Sequence, residues 1–144
     1  MHPNNEVVIG NLADGYRWSR DNKKAIGAYD KAISLAYNDL RVNARNATAL
    51  ESLALCFAKK GEASLAAYYI RQARSINASD PQLIYSEAVI RALANQPESA
   101  VESLRSAFEK GTSPWQAKLD PEFSSLQTNP AFIKLVNDSV EKSK

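Results

Sequence analysis

Histidine is almost absent from this chain. Its one copy, His2, stands beside the N-terminus in a segment expected to fray, so neither histidine-based catalysis nor a histidine-containing metal site has support. Cysteine is as scarce: the single Cys56 excludes an internal disulfide framework, and its place in the apolar run from Leu53 to Ala58 reads as a buried structural thiol rather than a redox site. The five glycines form no phosphate-cradling loop and no nucleophile elbow. No apolar stretch is long enough to span a bilayer, and the N-terminal MHPNNEVV has no signal-peptide core, so a cytoplasmic location is expected. Asn46, Asn77 and Asn137 each begin an Asn-x-Ser/Thr triplet, which would matter only in a secreted chain.

What remains is a chain of 144 residues, 44% hydrophobic and 24% charged, enough for one soluble domain with a core that needs no staples. Its net charge of +2 is uneven, with basic excess up to about residue 76 and acidic excess beyond. Arg17, Arg20, Lys23 and Lys24 cluster at one predicted turn, and Lys59 and Lys60 at the next, which could steer an acidic partner. No aromatic residues interleave there for base stacking, so nucleic acid is not the expected ligand. Glu98 and Glu102 share a helix face, as paired catalytic carboxylates can, but that face is polar and reads as solvated surface. Neither an enzyme, a cofactor nor a metal is expected.

The apolar residues recur in three matching rows. They are Ile9, Leu12, Ala13, Tyr16, Ala25, Tyr29 and Ala32; Leu50, Leu53, Ala54, Phe57, Ala66, Ile70 and Ala73; and Ile84, Glu87, Ala88, Arg91, Ala100, Leu104 and Ala107. In each row the first four lie on one face of a helix, and the last three place a large residue between two small ones on a second helix. Small residues at the crossing let antiparallel helices approach closely. In the third row Glu87 and Arg91 replace the expected apolar pair and are spaced to bridge one helical turn. Ala66 to Ala100 spans 34 residues, whereas Ala25 to Ala66 is seven longer. That insertion, near residues 38–46, reads either as a lengthened helix, since it lacks Gly and Pro, or as a loop, since Thr48 and Glu51 could make a capping box.

Five prolines follow a residue that can cap a helix: Asp80-Pro81, Gln96-Pro97, Ser113-Pro114, Asp120-Pro121 and Asn129-Pro130. A proline loses nothing at the first helical position, where its missing N–H would lack a partner, so these sites predict helix starts, with Gln96 the poorest cap. Gly61 and Gly111 predict a turn and a helix end. Beyond Gly111 the pattern Pro121-x-Phe123-x-x-Leu126 is echoed by Pro130-x-Phe132-x-x-Leu135. With Trp115 and Val136, these side chains have the size and spacing to cover an open apolar face.

Over about residues 6 to 112 the rows resemble the tetratricopeptide repeat (TPR), although Ile9, Leu50 and Ile84 replace its tryptophan and its closing proline is missing. The resemblance implies an all-α, right-handed α–α superhelix of about three hairpins, 6–39, 47–80 and 81–112. A C-terminal helical cap, 113–144, would close one domain spanning 1–144. The tail also resembles the closing stretch of TPR regions in bacterial signalling proteins. The function implied is noncatalytic binding of a protein partner, as a peptide or helix, in a concave groove lined by Asp14, Trp18, Glu51, Leu55, Lys59, Tyr85, Val89 and Leu93. Trp18, Leu55, Tyr85, Val89 and Leu93 would form its apolar floor. Relatives that clamp acidic chaperone tails carry cations where this chain has Gly10, Asp14, Ser52, Gln82 and Ser86, so that use is not expected. A regulatory domain of a larger kinase, cyclase or transcription regulator and a self-associating scaffold, giving a homo-oligomer, are the alternatives. No membrane partner is expected.

Overall fold

A computed structural model of the chain describes residues 5–143, so His2 and its expected fraying lie outside the described residues. Among them are nine helices and no strand: α1 (Glu6–Trp18), α2 (Asn22–Val42), α3 (Ala47–Lys59), α4 (Ala63–Ile76), α5 (Pro81–Leu93), α6 (Pro97–Glu109), α7 (Pro114–Leu119), a 3-10 helix (Pro121–Leu126) and α8 (Pro130–Lys142). The all-α expectation holds. The chain divides into two compact units, the first ending at Ile76 and the second beginning at Asn77.

In the first unit α1 packs on α2, α3 on α4, and α2 on α3. The small residues named above sit where helices cross: Ala13, Ala25, Ala32, Ala54, Ala66 and Ala73 are buried, with Tyr29, Leu53 and Ile70 between them. Leu12 is a correction. Its row places it with the core, but it is 50% exposed. Its counterpart Leu53 is fully buried in α3, which has α2 packed against it.

The seven-residue insertion resolves into both readings. α2 continues through Val42, and a short turn carries the chain to Asn46. Asn46, rather than Thr48, caps α3, its side chain accepting from the Ala49 N–H at 3.0 Å, so the expected Thr48–Glu51 capping box does not form. Asn outcompetes Thr here because it lies immediately before the first helical residue, where its oxygen reaches the free amides.

In the second unit α5 packs on α6, the 3-10 helix on α5, and α8 on α6 and α7. All five prolines stand at helix starts, as their caps predict. Asp80, Asp120 and Asn129 accept from free amides of the first turn, whereas Gln96 and Ser113 make no such side-chain bond. Phe123, Leu126, Phe132, Leu135 and Val136 are buried, and Phe123 lies at 5.6 Å from the Tyr85 ring and 5.9 Å from that of Phe132. Trp115 does not join them. It remains 46% exposed, with the Lys118 ammonium 4.9 Å from its ring centroid. The i,i+4 pair expected of Glu87 and Arg91 forms at 2.7 Å.

The turns of the three hairpins share one geometry. Arg20, Gly61 and Asn95 all have positive φ, at 66°, 85° and 60°. The N–H that follows each bonds back across the turn, Asp21 to Tyr16, Glu62 to Phe57 and Gln96 to Arg91, at 2.8–2.9 Å. Such a left-handed residue satisfies the last carbonyls of a helix while reversing the chain. Only Gly61 takes this conformation without steric cost.

Candidate functional site

Two of the residues expected to line a groove meet in the first unit. Asp14 on α1 and Lys59 on α3 form an ion pair at 2.8 Å, each side chain 11% exposed. The second Asp14 oxygen accepts a short hydrogen bond from the Tyr29 hydroxyl of α2, and that hydroxyl in turn accepts from Arg17 Nε at 3.1 Å. Burial first, and then the Asp14 carboxylate, push the Tyr29 phenol well above its ordinary range, so it stays protonated and keeps donating. Asp14 is therefore a buried tie between three helices rather than an open groove residue. A charge in so dry a place needs partners on both oxygens, which Tyr29 and Lys59 supply.

Around this tie the surface is more open. Trp18, one turn after Asp14 on the same face of α1, is 53% exposed, and Leu55, one turn before Lys59 on α3, is half-buried. Glu51, a further turn back along α3, is half-buried too. An indole and an aliphatic side chain thus flank a fixed pair of charges. The helices that carry them are tied to each other by the Asp14–Lys59 pair.

Of the groove residues expected in the second unit, Tyr85 and Val89 are corrections. Both are buried. The Tyr85 hydroxyl donates to Asp120 at 2.6 Å, and its ring meets Phe123 edge-on. Burial and the Asp120 carboxylate raise its pKa strongly. The face of α5 expected to form a floor packs against the 3-10 helix, part of the tail whose covering role the sequence predicts. Leu93, on the last turn of α5, remains half-buried. The second unit also has a cleft of about 570 Å³ where Phe108, Leu135 and Ser139 lie among Arg105, Glu109 and Lys142.

Cys56 is buried as expected, and burial pushes its thiol up to about 12. Such a thiol is protonated at neutral pH and is a poor nucleophile. A second acidic group is held out of water nearby: Glu6, on the first turn of α1, is buried, and its carboxyl hydrogen-bonds with that of Asp39 on α2. Burial foremost raises the Glu6 pKa, a backbone hydrogen bond offsets part of this, and the Asp39 charge adds to it.

A group whose folded pKa exceeds its unfolded value adds stability that is complete below the unfolded value and is lost as pH rises through the folded one. The first unit is therefore expected to lose stability as pH climbs from below 4.5 through the raised Glu6 value. Glu6→Gln should flatten that part of the profile, measured by urea unfolding across pH. An unchanged slope would contradict the carboxyl pairing.

None of the described helices is long and apolar enough to cross a membrane. No model of a known protein family matches the sequence, and no curated protein matches it significantly.

Proposed function

We propose that this chain is a noncatalytic protein-binding module, a TPR-like array of three hairpins with a C-terminal cap. It takes a peptide or helix of a partner protein on the α1–α3 face that carries Trp18 and Leu55. The observation that carries the reading is the exposed Trp18 beside the buried Asp14–Lys59 tie. Aromatic anchors contribute most to binding when their surroundings are already fixed, because little ordering cost falls on that side. Three things support the array: the matched rows, the common turn geometry at Arg20, Gly61 and Asn95, and the pairwise packing of successive helices within each unit. The reactive groups of this region are already engaged. The Cys56 thiol is held protonated, and Asp14, Tyr29 and Lys59 are engaged with one another.

The test is capture from the source-cell lysate on wild-type protein and on Trp18→Ala and Leu55→Glu variants, with retained proteins compared by mass spectrometry. A partner held by the wild type and lost from both variants, each with a normal circular-dichroism melt, is the expected result. Equal retention on all three would remove this surface from consideration.

A further inference from the structure

Turning α1 away from Asp14 brings up a second surface, independent of the Trp18 face. Val8, Leu12, Gly15 and Tyr16 lie along one side of α1 and correspond to Ala49, Leu53, Cys56 and Phe57 of α3. All four α3 residues are buried. On α1, Leu12 and Gly15 are exposed and Val8 and Tyr16 half-buried. α2 packs on α3, whereas this side of α1 has no comparable cover among the described residues. The same position in the hairpin is thus closed on α3, which α2 packs against and whose Phe57 also stacks on Tyr69 of α4, and open on α1. The short turn between Val42 and Ala47 sets α2 antiparallel to α3, so an amphipathic helix placed antiparallel on α1 is the matching cover.

We propose that this side of α1 docks an amphipathic helix of a partner protein, apolar along one stripe and acidic in its first turn. Charge selects that sequence. A helix placed as α2 is on α3 would bring its N-terminal turn to the C-terminal end of α1, where Arg20, Lys23 and Lys24 stand exposed. There the Lys24 ammonium lies 5.7 Å from the centroid of the Tyr16 ring, so cation and apolar stripe adjoin. Acidic side chains in a first turn also suit the helix dipole. A second copy of α1 lacks this complement, because antiparallel pairing would set these cations against the first turn of α1, whose Glu6 is buried.

The experiment uses the full chain, labelled with nitrogen-15, and a synthetic helical peptide with a leucine and alanine stripe and glutamates in its first turn. A control peptide carries lysines in place of the glutamates. Saturable shifts at Val8, Leu12 and Tyr16, and binding about tenfold weaker for the lysine peptide, are expected. Binding should be lost in Leu12→Glu and in Gly15→Arg; the latter adds its side chain where a Cβ meets nothing within 4 Å, so it blocks the surface without disturbing the core. Absence of saturable binding, equal binding of both peptides, or binding that survives both substitutions would overturn the proposal. So would a concentration-dependent dimer that Leu12→Glu dissolves, which would make a second copy the occupant.

Discussion

Asp14→Ala is expected to destabilise the first unit by about 2 kcal/mol, because it removes the acceptor of the buried Tyr29 hydroxyl and one partner of the part-buried Lys59 ammonium. The cost is that of orphaned polar groups rather than the net worth of the bond, and that distinction is measurable. Replacing the whole cluster by apolar residues of similar size, Asp14→Leu with Lys59→Met and Tyr29→Phe, should recover much of the loss. The two tryptophans provide separate reporters, Trp18 for the first unit and Trp115 for the second. Urea unfolding of a Trp115→Phe background, followed by Trp18 fluorescence, isolates the first unit. A loss below about 1 kcal/mol would mean that Lys59 reaches water on its own and that the tie is no anchor.

Phe123→Ala should cost the second unit about 3 to 5 kcal/mol, the usual range for removing a wholly buried aromatic ring. Phe123 touches Tyr85 on α5 and Phe132 on α8, so its loss opens a void on both sides of the 3-10 helix. Three adjoining residues, Pro121, Asp120 and Tyr85, hold that helix by capping and by the Tyr85–Asp120 bond, so the site has little freedom to collapse. Unfolding followed by Trp115 fluorescence in a Trp18→Phe background reads the effect. An unchanged midpoint would show that the tail does not stabilise α5.

The helices were legible because their signals are local. Proline after a capping residue marks a start whatever lies around it, and all five such sites obey; the small-large-small rows likewise fix the crossings. The failures at Leu12 and Trp115 are of another kind. Periodicity tells which face of a helix is apolar but not whether another element covers it, and Leu12 stands half exposed on such a face. Tyr85 errs in the opposite sense, since the Asp120 and Phe123 side chains that meet it are remote in sequence.

The Asp14 cluster was half visible. The TPR resemblance puts Asp14 and Lys59 in one groove, but their pairing across α1 and α3 depends on how the helices dock. A signal was present in Tyr29, which stands where the other rows have Ile70 and Leu104. A tyrosine at a core position must find a partner for its hydroxyl, and Asp14, on the helix it packs against, is a carboxylate within reach.

The proposed docking face for a partner protein is the face of α1 and α3 bearing Trp18 and Leu55. The direct measurement is amide chemical-shift mapping of the labelled chain as the captured partner is added. Shifts are expected to concentrate at Trp18, Glu51, Leu55 and Lys59, with the Trp18 indole N–H moving most. Shifts confined to the second unit, around the cleft of Arg105 and Lys142, would contradict it.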